Sequence, residues 1–189
     1  MTMQGNRLFV FSGASGVGKS TVLKEVMKER PELRFSVSAT TRQPREGEVE
    51  GKSYYFVSEQ MFEKMIARGE FLEYNRHNNC YYGTPWPQLE EKLEHGPAAL
   101  DIEPNGAFKV KALRPDAVLI FIMPPSWEAL EQRLRGRGDT SEEQITLRLE
   151  RARWEMEQRD KYDYVVVNDS LDDCVNQILN IIEQYTDEE

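Results

Sequence analysis

Residues Gly13–Ser20 read GASGVGKS, and no other stretch constrains the fold as tightly. They follow a short β-branched and aromatic run, RLFVFS (Arg7–Ser12), and precede a helical pattern, Thr21–Glu29, with Val22, Leu23 and Val26 on one face. The spacing G-x-x-x-x-G-K-[ST] between a strand and a helix is that of a phosphate-binding loop. Glycines let the backbone curl until several N–H groups point at one anion, and the helix adds its positive N-terminal end. Lys19 supplies charge to the β- and γ-phosphates, and Ser20 a hydroxyl for Mg²⁺. The segment therefore predicts binding of a nucleoside triphosphate through Gly13, Ala14, Ser15, Gly16, Val17, Gly18, Lys19 and Ser20. It does not name an acceptor.

Beyond the loop, strand and helix patterns alternate. Ala98–Ile102, Val118–Met123 (VLIFIM) and Tyr164–Val167 are short apolar runs of the kind buried inside a parallel sheet. Between and after them lie helical patterns at Gln88–Glu94, Ala107–Leu113, Ser126–Arg135, from the Ser141/Gln144 capping box onward, and at Leu171–Tyr185. Such alternation predicts an α/β domain with helices on both faces of a parallel sheet. The middle of the chain reads differently. It carries strand signals at Phe35–Ser38, Tyr54–Val57, Phe71–Tyr74 and Tyr81–Gly83, with a single helix that Ser58 caps and Gly69 ends. This stretch is expected to be an insertion hanging over the sheet edge.

A length of 189 residues fits one domain. The net charge of −9 argues against a nucleic-acid or membrane-surface binder, which needs a basic face. No apolar run approaches the roughly 18 residues of a membrane span, and MTMQGNRLFVFSG lacks the apolar core of a secretion signal. Cys80 and Cys174 are far apart, without disulfide or zinc spacing. A reducing, cytoplasmic setting is expected. His77 and His95 show no metal spacing and are expected to face solvent. The charges of Glu150–Arg159 are expected to form a solvated helix face.

Arg42 and Arg45, fixed by Pro44 and flanked by hydroxyls, suit a second phosphate; an exposed charged loop fits them equally well. Arg133, Arg135 and Arg137 cluster before Gly138, and Arg148 falls on the helical pattern that follows. The order and spacing of the phosphate loop, SATTRQPREGEVEGKSYYFV, GEFLEY, YYGTP, IFIMPPSWEALEQRLRGRG and YVVVND resemble the guanylate kinase family over about the whole chain. That resemblance implies a P-loop nucleoside-monophosphate kinase fold with a five-stranded parallel core sheet, a GMP-binding insertion and a helical lid. The corresponding divisions are core 1–37, 85–135 and 160–189, insertion 38–84 and lid 136–159.

The resemblance also implies an activity: transfer of the ATP γ-phosphate to GMP and to dGMP, with Mg²⁺, by a monomer or homodimer. Ser38, Arg42, Arg45, Tyr54 and Tyr82 would hold the GMP phosphate. Glu73, Thr84 and Glu103 would read guanine, and Asp101 would lie near Mg²⁺, through water, and the phosphates. Lys19, Arg42, Arg133 and Arg148 would serve the transferring phosphate; Arg137 and Asn168 would lie on the ATP side. Arg135 is expected to be a solvated charge.

The guanine assignment has a chemical basis. Guanine presents N1–H and an N2 amino group side by side, and a carboxylate is an acceptor only. Adenine has an acceptor at N1, which a carboxylate repels. The sequence departs from the family pattern at Pro104 and Asn105, which replace the usual apolar residue and glutamine after an approach one residue short, and at Asn79-Cys80, where glycine-asparagine is common. Glu103 carries one extra methylene, and the proline is expected to shift the local backbone. Two rivals stay open at this point. One is a kinase for a different acceptor. The other is a non-catalytic module that binds phosphorylated peptides, which the intact Lys19 and Ser20 oppose.

Overall fold

The computed structural model of the chain describes residues 6–77, 79–136 and 141–186. Strand β1 (Leu8–Gly13) leads through the glycine-rich loop into α1 (Lys19–Glu29), then β2 (Arg34–Phe35), β3 (Ala39–Thr40) and β4 (Tyr55–Phe56). Helix α2 (Glu59–Ala67), the hairpin β5 (Phe71–His77) and β6 (Cys80–Pro85), and α3 (Trp86–His95) follow. The remainder is β7 (Ala98–Asp101), α4 (Pro104–Leu113), β8 (Val118–Met123), α5 (Trp127–Arg135), α6 (Glu142–Glu157), β9 (Tyr164–Val167) and α7 (Leu171–Thr186).

Five strands form a parallel sheet in the order β2-β7-β1-β8-β9. Strands β1 and β8 sit at its centre, and every residue of both is buried. Successive side chains point to opposite faces, so β1 feeds two cores. Phe9 and Phe11 pack with Val22, Val26, Ile178 and Ile182 from α1 and α7. Leu8 and Val10 pack with Leu89, Leu93 and Val110 from α3 and α4.

Strand β9 differs from its apolar sequence. It is an edge strand paired only with β8, so Val166 is buried while Val165 and Val167 are 44% and 43% exposed. Apolar composition alone cannot tell an edge strand from a central one.

The run expected as one strand at Phe35–Ser38 is split between two sheets. Ser36 still donates its N–H to Ala99 O at 2.9 Å, beside the core sheet, whereas Ser38 O accepts from Tyr55 N at 2.9 Å. Here the chain crosses into a second, mixed sheet, ordered β4-β3-β6-β5. Its back is closed by Phe62 of α2, which is fully buried and stacks on Phe71 and Tyr81 at 4.3 and 5.0 Å between ring centroids.

Local signals set the helix starts. Ser58, Ser126 and Ser141 each accept a backbone N–H with their hydroxyl, from Met61, Ala129 and Gln144. Pro104 lies within regular helix. It opens α4, with Glu103 as N-cap, where a helix needs no N–H and a fixed φ is favourable.

Candidate active site

A cleft of about 760 Å³ lies at the carboxyl ends of β1 and β7, between the glycine-rich loop, the second sheet and α6. Ligands of open α/β sheets bind at this end of the strands. All eight residues Gly13–Ser20 line it. Gly16 and Gly18 have φ of +89° and +91°, which glycine adopts without strain. At Gly16 space is short as well, since a Cβ would lie 2.5 Å from Leu134 Cδ2.

The back of the loop is braced. Asn168 Nδ2 donates to Val17 O at 2.8 Å, and Arg133 donates to Val17 O at 3.2 Å and to Asn168 O at 3.0 Å. Arg133 and Asn168 thus fix the loop from behind and do not line the cleft. Arg148 does line it; Arg137 lies outside the described residues.

Lys19 makes an ion pair with Asp101, the last residue of β7. Ser20 is exposed to the cleft beside them. Among the described residues no group of three His, Cys, Asp or Glu side chains is placed to hold a metal by itself. Mg²⁺ commonly takes one or two protein oxygens and completes its shell with substrate phosphates and water. One hydroxyl and one carboxylate next to a phosphate loop fit that pattern.

Across the cleft, Ser38, Arg45, Tyr54 and Tyr82 line the wall formed by the second sheet. Arg42 does not reach the lining. Glu48 holds it with two hydrogen bonds of 2.9 and 2.8 Å, and its guanidinium lies 5.3 and 5.9 Å from the Tyr54 and Phe56 ring centroids. The hydrogen bonds to Glu48 drive the Arg42 pKa further up, and Arg42 in turn holds the Glu48 carboxyl below its ordinary value. Burial pushes the Tyr54 hydroxyl up.

Glu73 and Thr84 face each other across β5 and β6. Both are buried, and Thr84 Oγ1 donates to Glu73 Oε1 at 2.7 Å. Burial pushes the Glu73 carboxyl above its ordinary pKa. Glu103 lies nearby with both oxygens engaged: Oε1 by Asn75 Nδ2, and Oε2 by Arg151 Nη2 at 2.7 Å.

Cleft residues that the sequence did not mark as site residues include Asn75, His77, Arg151 and Glu155. Glu155 is not on a solvated face. It is 4% exposed and accepts Ser15 N–H with Oε2 and Arg151 Nε with Oε1, each at 2.8 Å. Arg148, Arg151 and Glu155 are spaced three and four apart, so they share one face of α6; that spacing was the available signal. His77 is half-buried against Arg151 rather than solvent-facing. Burial and the Arg151 charge push its pKa below 6.5. His95 is exposed as expected, and Arg135 is an exposed charge paired with Glu131 and Glu142. Burial raises the Cys174 thiol to about 11, which leaves it unreactive.

A phosphate loop at the carboxyl edge of a five-stranded parallel sheet, opposite a small sheet carrying a second set of polar groups, defines a P-loop nucleoside-monophosphate kinase fold. The family model described as "Guanylate kinase" matches residues 5–185. The chain is 47% identical over 173 residues to the guanylate kinase of Trichormus variabilis, covering 91% of this chain and 87% of that one. It is 49% identical over 177 residues to a guanylate kinase of Thermus thermophilus, covering 93% and 80%. The crystal structure of guanylate kinase from Anaplasma phagocytophilum superposes with a TM-score of 0.79 at 33% identity, over 95% of this chain and 86% of that one. This chain belongs to the guanylate kinase family.

Proposed function

We propose that this chain transfers the γ-phosphoryl group of ATP to GMP, and to dGMP, giving ADP and the guanosine diphosphate. The observation that carries this reading is a single cleft lined by a phosphate loop at one end and, at the other, by the buried Glu73, which Thr84 orients. In it the guanine N1–H and N2 amino group donate to Glu73, assisted by Glu103, while adenine would oppose an acceptor to an acceptor. Ser38, Arg45, Tyr54 and Tyr82 hold the acceptor phosphate, with Arg42 supplying charge from behind Tyr54.

A GMP phosphate oxygen attacks the γ-phosphorus in line, and the bond to the β-phosphate oxygen breaks. The nucleophile is already ionised, so no proton moves. The obstacle is the meeting of two anions, and catalysis rests on charge compensation and positioning. Lys19 and the loop amides act on the donor phosphates. Arg148 lines the path of transfer, and Arg133 and Asn168 keep the loop in shape. Ser20 and, through water, Asp101 would hold Mg²⁺, which would supply positive charge to the phosphates. Residues 38–84 act as the acceptor-binding insertion and 136–159 as the lid, closing over the core to exclude water.

No helix among the described residues is long and apolar enough to cross a membrane. With two unpaired cysteines and a net charge of −9, we read the chain as a cytoplasmic enzyme, monomer or homodimer, that binds neither nucleic acid nor membranes.

The test is ADP release from ATP and Mg²⁺ with GMP, dGMP, AMP, CMP and UMP as separate acceptors. Turnover with GMP and dGMP far above the others is expected. Turnover with none, or equally with AMP, contradicts the reading.

A further inference from the structure

Arg151 joins the two ends of the cleft. Its Nη2 donates to Glu103 Oε2 at 2.7 Å, its Nε to Glu155 Oε1 at 2.8 Å, and its Nη1 lies against His77 Nε2. Beyond Glu103 stands Asn75; beyond Glu155 stands the Ser15 N–H of the phosphate loop. One unbroken series of charge-assisted hydrogen bonds therefore runs from the base end to the loop. It includes two groups that substrates need. Ser15 N–H is a loop amide now satisfied by a buried carboxylate, which sits as an anion where a nucleotide phosphate would bind. Glu103 already accepts one hydrogen bond on each oxygen, so a purine donor competes with Asn75 and Arg151 for it.

We propose that Arg151 is a positioning residue that couples the two substrate sites, holding Glu155 on the phosphate loop for as long as Glu103 is not taken by the acceptor's base. This rests on the ATP:GMP reading of the cleft. Each substrate competes with one end of a series that Arg151 joins. Whichever binds first breaks it, and the second is spared that cost, so each raises the other's affinity by the same factor. Before GMP arrives the loop is partly self-satisfied, which disfavours ATP binding without an acceptor and so limits wasteful hydrolysis.

The experiment is calorimetric titration of a non-hydrolysable ATP analogue with Mg²⁺ into the wild-type chain, with and without saturating GMP. GMP is expected to raise the analogue's affinity roughly tenfold. In Arg151→Gln the ratio falls to within about twofold, while the thermal midpoint shows the protein folded. In Glu155→Gln, where the competing anion is gone, the analogue binds several-fold tighter without GMP than it does to wild type. A purely structural Arg151 would weaken both affinities and leave their ratio unchanged, and that result overturns the proposal. Absence of coupling in the wild type overturns it too. GMP turnover is measured on the same preparation. If the wild type phosphorylates GMP, either of these results removes the coupling alone; if it neither binds nor phosphorylates GMP, the functional reading fails as well.

Discussion

Thr84 Oγ1 donates to Glu73 Oε1 at 2.7 Å, with Glu73 only 6% exposed. The hydroxyl spends its proton on one carboxylate oxygen, which orients the group and leaves it an acceptor toward the cleft. Replacing Glu73 with Gln puts an amide donor where guanine presents two donors. A hydrogen bond to a charged group contributes about 1.5–3 kcal/mol. Glu73→Gln should therefore lower kcat/KM for GMP roughly 10- to 100-fold and narrow the preference over AMP, as read from steady-state assays with both acceptors. Unaltered selectivity would mean that another group reads the base.

The same carboxyl makes a stability prediction of opposite sense. Burial raises its folded pKa above 4.5, its ordinary value. A carboxyl raised in the fold stabilises below its unfolded pKa, and that contribution is lost as pH rises through the folded value. At pH 7 the ionised group is a standing cost, which the neutral amide lacks. Glu73→Gln should thus melt above wild type at pH 7, and the gap should close as pH falls toward 4. A variant less stable than wild type across this range would contradict the reading.

Gly106, in the first turn of α4, faces Glu73. A Cβ there would lie 2.8 Å from Glu73 Oε2 and 3.2 Å from its Cδ. Gly106→Ala must push the carboxylate aside, while the helix itself gains up to about 1 kcal/mol of propensity. The expected outcome is a folded protein whose KM for GMP rises roughly tenfold with a smaller change in kcat. An unchanged KM would mean that the carboxylate's present position is not needed.

Lys19 reaches Asp101 in the present structure and the donor phosphates in the proposed reaction. Lys19→Ala should lower kcat by roughly 10³ or more and leave the thermal midpoint nearly unchanged, since the ion pair is partly exposed and such pairs contribute about 0–1 kcal/mol. Near-normal turnover would remove the loop lysine from the mechanism.

Pro104 is predicted to be benign. At the first position of α4 it loses no hydrogen bond. Pro104→Ala should change stability by about 1 kcal/mol or less and leave KM for GMP within about twofold. A large KM change would show that the proline sets the Glu103 backbone.

What the sequence made legible follows from how local each signal is. The caps at Ser58, Ser126 and Ser141 and the strand Val118–Met123 depend on neighbouring residues, and the structure has them where the pattern put them. The crossing at Ser36–Ser38 and the exposure of β9 depend on which strand lies alongside, which no local pattern encodes. The phosphate loop was readable because its residues are contiguous. Glu155 was not, because a glutamate in a run of charges looks solvated until α6 is laid across the loop and Ser15 N–H meets its carboxylate. Arg42 shows the converse: its motif pointed to the acceptor phosphate, while the tertiary fold ties its guanidinium to Glu48.

The most direct measurement is the fate of the γ-phosphate. With γ-labelled ATP, Mg²⁺ and GMP, the account predicts that label appears in GDP at a rate matching ADP formation, with little inorganic phosphate. Label accumulating as inorganic phosphate, or remaining in ATP when GMP is present, would contradict it.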